Sequence, residues 1–154
     1  EEYVGGALTL KDSKEIAPIL VKAGADVISV SAGRYESSEY TSPPIELGEC
    51  VHVPLAEGIK ECLDVPVICV GSILDLASAE KILEEGRADL VAMGRAQIAD
   101  PQIVNKSKRG DFESIKKCTR CGGCLFSLFT EPGLYCPINK DLPRLTGEEP
   151  RIRV

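Results

Sequence analysis

Tryptophan is absent, histidine and methionine occur once each, and four tyrosines and three phenylalanines are all the aromatics in 154 residues. With one histidine, a soft-metal site must be built mainly from cysteine. No apolar run approaches the roughly 20 residues that span a bilayer, and no basic-then-apolar leader opens the chain. Positive charge is also scarce. Eighteen lysines and arginines against 24 acidic residues leave a net charge of −6, which argues against nucleic acid or an anionic membrane as a partner. Without a secretion signal, the seven cysteines read as reduced thiols of a cytoplasmic protein, and their odd number leaves at least one outside any pairing. The sequence opens at EEYVGG, without Met, and stops at RIRV, so it is expected to be a piece of something longer.

What is present is a repeated grammar. TLKDSKEIAPILVKAG carries Ile16, Ile19, Leu20 and Ala23 at helical spacing, with Thr9 and Asp12 as a capping box and Gly24 as the stop. Pro18 is expected to kink that helix or shift its first turn. The apolar, β-branched run ADVISVSAG follows as a strand. A helix over LAEGIKECL and the strand VPVICVGS form a second unit; a helix over DLASAEKILEEG and the strand ADLVAMGR form a third. Leu76, Ala79, Ile82 and Leu83 share one face of the third helix. Helix and strand alternate without a hairpin signal, so the sheet should be parallel, and the nearly continuous apolar runs VISV, VICV and LVAM suit strands covered on both faces. Three such strands cannot cover themselves. The fold expected is α/β: the C-terminal half of a (β/α)8 TIM barrel, about three βα units over residues 1–107, followed by an irregular, cysteine-rich extension over 108–154. An open doubly wound sheet is the alternative.

Four cysteines are spaced Cys118-x2-Cys121-x2-Cys124-x11-Cys136, with Pro137 next. Two-residue gaps let a tight turn aim successive sulfurs at one centre, and Gly122 and Gly123 give the backbone that freedom. Three close thiolates and a fourth from a loop suit a [4Fe–4S] cluster, with LFSLF as an apolar cover. Structural zinc, which more often takes two separated C-x2-C knuckles, and free or disulfide-linked thiols are the other readings. Cys69 reads as a small buried hydrophobe, Cys62 as a helix residue, and Cys50 as a loop residue beside the lone His52.

In a barrel of this kind ligands sit at the C-terminal strand ends, and a phosphate site is common after the seventh and eighth strands. Gly71-Ser72-Ile73 and Gly94-Arg95 fall there, able to offer backbone N–H groups at a helix mouth and a planar cation; the plain alternative is that these glycines only turn strand into helix. Tyr35 and Glu36 follow the first strand and can offer a hydroxyl and a carboxylate to a ligand, or belong to a surface loop. The proline pair in YTSPPIELGE argues against regular structure beyond them.

Taken together, GGALTLKDSKEIAPIL, VSAGRYES, VPVICVGSI, ADLVAMGRAQIADP and the cysteine run resemble the old yellow enzyme superfamily. The match is nearer to its iron–sulfur branch, the 2,4-dienoyl-CoA reductase and trimethylamine dehydrogenase group of NADH:flavin oxidoreductases. The resemblance covers nearly the whole chain. It implies an FMN-binding barrel, a [4Fe–4S] segment and, in the parent protein, FAD and NAD(P)H. It further implies that Gly71, Ser72, Gly94 and Arg95 bind the FMN phosphate and that Cys118, Cys121, Cys124 and Cys136 hold the cluster. Electrons would pass among nicotinamide, FAD, cluster and FMN, and hydride from reduced FMN to an activated C=C of a small-molecule substrate. Tyr35 stands where the dienoyl-CoA reductases carry a histidine near the substrate, and is the catalytic candidate, as proton donor or carbonyl partner. The two-residue gap from Cys121 to Cys124 is like the trimethylamine dehydrogenase pattern, which keeps an amine dehydrogenase as one alternative. A non-redox phosphate-binding barrel with a four-cysteine zinc site is the other. The first five barrel strands are missing from these residues, so the piece alone should be inactive. Its expected partners are the N-terminal half-barrel, in the same parent chain or a separate one, and a second copy of itself.

Overall fold

The computed structural model describes residues 1–130 and 133–142 and divides into two compact units, Glu1–Met93 and Gly94–Val154. In the first, α1 (Leu10–Lys22) starts where the sequence places it. Thr9 Oγ1 accepts from the Asp12 N–H at 3.3 Å, and the Asp12 carboxylate accepts from the Thr9 N–H at 2.8 Å. Two orphan donors of the first turn are thereby satisfied. Pro18 lies in the interior of α1 and does not end it or set its first turn. It sits on the exposed face, where water can take the carbonyl that loses its donor.

Strand β1 (Ile28–Val30) leads to a one-turn 3-10 helix at Tyr35–Ser37, the short α2 (Ser38–Thr41) and a second 3-10 turn at Ile45–Leu47. The segment around the proline pair is therefore more ordered than its composition suggests. Then come α3 (Val53–Lys60), β2 (Val67–Cys69), α4 (Leu76–Glu84) and β3 (Leu90–Val91). The sheet is parallel in the order β1-β2-β3, with Val30 opposite Cys69 and Cys69 opposite Val91. Each strand pairs with the next in sequence, as short crossover connections favour. Asp89 helps set the register. Its carboxylate accepts from the Val67 N–H at 2.9 Å and from Lys60 Nζ at 2.6 Å, fastening the start of β2 to the end of α3.

The core gathers around β2, where Val67 and Cys69 are fully buried against Val30, Val53, Ala56, Ile59, Ala79 and Ile82. Cover on both faces, expected of all three strands, is found nearest at β2. Ser29 of β1 and Leu90 of β3 are exposed, because each lies in a strand paired on one side only within the described sheet. The stripe on α1 differs in the same sense. Ala17 is buried, whereas Ile19 is 66% exposed and Ile16 and Leu20 line a groove of about 230 Å³ with Leu8, Val30 and Leu55. On α4, Ala79 and Ile82 face inward and Leu83 remains partly exposed.

The second unit holds α5 (Arg95–Ala99), α6 (Ile103–Lys108) and α7 (Gly123–Thr130). Packing thus changes earlier than composition does, since α5 and α6 go with the cysteine segment. The extension is also less irregular than its composition implies, because the eight residues of α7 are helical. Asp100 organises this unit. It is 3% exposed and accepts from Lys106 Nζ at 2.7 Å, the Lys116 N–H at 2.9 Å and the Gln102 N–H at 3.0 Å. Burial pushes its carboxyl up, but the Lys106 ammonium and the two N–H donors outweigh that and hold it below its usual value. The folded state therefore favours the ionised form. Its contribution is present above the unfolded value, about 3.9, and is lost as pH falls through the lowered folded value. Asp100→Asn is expected to remove about 2–4 kcal/mol and to flatten the acid limb of stability. Urea titrations between pH 3 and 7 check this, and an acid limb with unchanged slope would contradict it.

Candidate cofactor and metal site

The end of β2 is a tied corner. Gly71 has φ +114°, and a Cβ there would lie 2.6 Å from His52 Nδ1 and 2.7 Å from His52 Cγ. His52 is 2% exposed, so its ring cannot swing away. The carbonyls of Gly71 and Ser72 accept from the N–H groups of Val51 at 3.1 Å and Cys50 at 3.2 Å. Ser72 is buried at φ +53°, and its hydroxyl donates to the Pro43 carbonyl at 3.3 Å. The packing against His52 explains Gly71 without a ligand. His52 is legible in the sequence only as a lone histidine; its place beneath Gly71 has no sequence signal.

Tyr35 opens its one-turn helix with a side chain 95% exposed. Its neighbour does not offer a ready carboxylate. Glu36 is engaged by Arg34, whose Nε and Nη2 donate to it at 2.6 and 3.0 Å, and the bond to Arg34 holds its carboxyl below the usual value. Cys69 behaves as a buried hydrophobe, its thiol pushed up to about 11, chiefly by burial. Burial also raises the Cys50 thiol, with the nearby Glu49 carboxylate adding to it.

In the second unit, Cys118, Cys121, Cys124 and Cys136 line one cavity of about 10 Å³, together with Arg95 and Arg120. Cys136 is buried, Cys118 and Cys124 half-buried, and Cys121 exposed. Local bonds hold the ring of thiols. The Arg120 N–H donates to Cys118 Sγ at 3.4 Å. The buried Ser127 hydroxyl donates to the Cys124 carbonyl at 2.9 Å and accepts from the Tyr135 N–H at 3.0 Å, tying α7 to the segment that carries Cys136. Asn139 Nδ2 donates to the Ile98 carbonyl at 2.9 Å, anchoring the residues beyond Cys136 to α5. The Cys124 thiol is raised, first by burial and then by Cys118, with Arg95 acting in the opposite sense. The LFSLF cover is not where the sequence suggests. Ser127 points inward, while Phe126 and Phe129 are 68% and 80% exposed, because the helical turn puts the one polar residue on the packed side.

Gly94 precedes α5 with φ −80°, and a Cβ there would meet no atom within 4 Å, so neither space nor backbone requires a glycine. Arg95 begins α5 and lines the thiol cavity. Among the described residues, no three His, Cys, Asp or Glu side chains are placed to hold a single metal ion. The donor set, four thiols, is one that either a zinc ion or an iron–sulfur cluster takes. One ion needs every sulfur within about 2.3 Å of one point, whereas a cubane places each thiolate on its own iron and spreads the four apart. Four thiols around one cavity are the right donor set, and holding a cluster requires them to spread around it.

The profile of the NADH:flavin oxidoreductase / NADH oxidase family matches residues 35–113, about half of the chain. The chain belongs to that family. It is similar to an NADH oxidase of Thermoanaerobacter brockii, 44% identical over 141 residues, which are 90% of this chain and 22% of that protein. It is also similar to a cinnamate reductase of Clostridium sporogenes, 29% identical over 140 residues, 90% of this chain and 21% of that one. Among solved structures, a 2-naphthoyl-CoA reductase in complex with 2-naphthoyl-CoA superposes with a TM-score of 0.82 at 29% identity, covering 90% of this chain and 21% of the other. The chain thus spans about a fifth of the length of these similar proteins. The parallel three-stranded α/β sheet suits a partial barrel of this family. Among the described residues no helix is long and apolar enough to cross a membrane.

Proposed function

We propose that this chain is part of an FMN- and [4Fe–4S]-dependent NAD(P)H:flavin oxidoreductase that reduces an activated C=C. The observation that carries the reading is the single cavity lined by all four clustered cysteines, in a chain of the flavin oxidoreductase family. Cys118, Cys121, Cys124 and Cys136 hold the cluster. The backbone of Gly71 and Ser72, and Gly94 with the Arg95 guanidinium, serve the FMN phosphate. The exposed Tyr35 hydroxyl hydrogen-bonds a substrate carbonyl or gives up a proton. When bound, FMN supplies hydride transfer and the cluster supplies single electrons; the protein positions them and tunes their electronics. The reductases of cinnamate and of 2-naphthoyl-CoA among the similar proteins support an unsaturated acid or thioester, conjugated to an aromatic ring, as the substrate class.

The test is cofactor content. The full-length protein, purified anaerobically, should contain four irons and one FMN per chain. One zinc without iron would replace this reading with the non-redox barrel. Arg95→Ala should weaken FMN binding by about 1.5–3 kcal/mol, more than tenfold in Kd, through loss of a charge-assisted phosphate contact. Fluorescence titration of apoprotein with FMN measures it, and an unchanged Kd removes Arg95 from the phosphate site. Gly94→Ala is a companion probe, because at φ −80° with open space it should leave folding untouched.

A further inference from the structure

Three of the four clustered thiols share one short run, so tight turns alone can bring Cys118, Cys121 and Cys124 together. Cys136 follows only after eleven intervening residues, and its place must be set by contacts beyond its own turn. Its neighbours on both sides are tied down. Before it, the Tyr135 N–H donates to the buried Ser127 hydroxyl of α7 at 3.0 Å. After it, Asn139 is 4% exposed and uses both ends of its amide. Nδ2 donates to the Ile98 carbonyl of α5 at 2.9 Å, and Oδ1 accepts from the Asp141 N–H at 3.3 Å. A carbonyl only accepts and an N–H only donates, so these partners fix which way the amide points. The stretch that enters the site is held at the same place. The Lys116 N–H, two residues before Cys118, donates to the Asp100 carboxylate at 2.9 Å, and Asp100 lies two residues past Ile98. Lys116 Nζ also meets the Asp141 carboxylate at 2.8 Å, joining the entering stretch to the leaving one. Residues 118–136 thus form a loop whose two ends are gathered at the end of α5.

We infer that Asn139 is a positioning residue of the four-cysteine site: by holding the stretch after Cys136 to the end of α5, it sets where that thiol stands relative to the other three and so how firmly the site keeps its cluster. The inference goes beyond the ligand assignment and rests on the cluster proposed there. A cluster engages four sulfurs at once, and a ligand already held in place needs no further ordering when the cluster binds. Residues that orient metal ligands without touching the metal typically change affinity by about 10–100-fold when they are removed. The Lys116–Asp141 pair is a weaker tie, because the Asp141 side chain is 84% exposed and solvent screens the attraction.

The experiment uses the full-length protein, purified anaerobically with its cluster, and follows iron release to a chelator in buffer without denaturant. Asn139→Leu removes both hydrogen bonds with little change in volume; Asn139→Ala removes the bonds and the volume. Both should release iron about 10-fold faster than the parent, or more. The reduced cluster that remains should give an electron paramagnetic resonance spectrum with shifted lines, since these report ligand geometry. Asn105→Ala, which cuts an exposed amide bond to Gln102 on α6, should release iron at the parent's rate. So should Asp141→Asn, which removes the exposed ion pair and keeps the N–H. Circular dichroism establishes that each sample is folded, and urea midpoints of iron-free protein measure the purely structural cost. A structural Asn139 would lower that midpoint and leave the release rate and spectrum of folded, loaded protein unchanged, which overturns the inference alone. Parent-like release in Asn139→Leu also overturns it, since volume and not the two hydrogen bonds would then hold Cys136. Failure of both variants to fold without iron overturns it in favour of a folding role. A full-length parent without iron overturns the cluster reading and this inference together.

Discussion

Gly71→Ala is expected to destabilise the first unit by about 3–5 kcal/mol, a large share of the roughly 5–15 kcal/mol that holds a typical domain folded. Two independent costs add. Alanine must adopt φ +114°, a conformation of order 1–3 kcal/mol above its preferred wells. Its Cβ must also enter space held by the imidazole of His52, 2.6 Å from Nδ1, at a residue 2% exposed and packed in the same corner as Ser72. Overpacking of that kind costs about 1–3 kcal/mol. The midpoint of urea unfolding, read by circular dichroism, measures the sum. His52→Ala in the Gly71→Ala background should recover the packing part and not the backbone part, giving a coupling energy in a double-mutant cycle. An anion-binding role alone would give a Gly71→Ala protein of near-normal stability and no rescue by His52→Ala. An unshifted midpoint would therefore reject the steric account and return Gly71 to the phosphate.

The parts of the fold legible in the sequence are those fixed by neighbours along the chain. Thr9 and Asp12 cap α1 because the two residues satisfy each other across one turn, whatever the rest of the chain does. The alternation of helical and strand periods implies the parallel sheet β1-β2-β3 on similarly local grounds. What periodicity cannot supply is the identity of the covering layer. Ile16, Ile19 and Leu20 share a face of α1, yet they are substantially exposed among the described residues, because amphipathicity states which residues belong together and not what lies over them. Helix α7 escapes sequence reading on different grounds. Eight residues that open on a glycine are marginal alone, and what holds them is tertiary: Ser127 bridging the Cys124 carbonyl and the Tyr135 N–H. Asp100 stands out in the sequence only as part of a family motif. Its role as an acceptor for Lys106, Lys116 and Gln102 depends on residues up to 16 positions away, and no local pattern marks it. The cysteine spacing is readable at once, whereas the cation beside it is not, since an arginine between two cysteines looks like any exposed turn residue until its burial is known.

Cys121→Ser should abolish the proposed iron centre while leaving the fold intact. The asymmetry follows from where the four thiols sit. Cys121 is the exposed member of the ring, so exchanging sulfur for oxygen there buries no new polar group. The surrounding ties, Arg120 to Cys118 and Ser127 to Cys124 and Tyr135, do not pass through its side chain. As a ligand of the proposed cluster, however, it would supply one of four thiolates, and a serine hydroxyl does not ionise near neutral pH to replace it. Anaerobically purified full-length Cys121→Ser protein should therefore show far less than four irons per chain and little visible absorbance from the cluster, with a stability within about 0.5 kcal/mol of the parent's when both are compared without iron. Cys69→Ser is the opposite case. That thiol is fully buried in β2 and pushed up to about 11 by burial, so a hydroxyl there should cost about 1–3 kcal/mol of stability and no iron. The pair separates ligand from core, because each substitution moves the readout that the other leaves alone. Four irons retained in Cys121→Ser would mean that the thiols around the cavity are not the cluster's ligands, and the proposed electron route through this unit would fail with them.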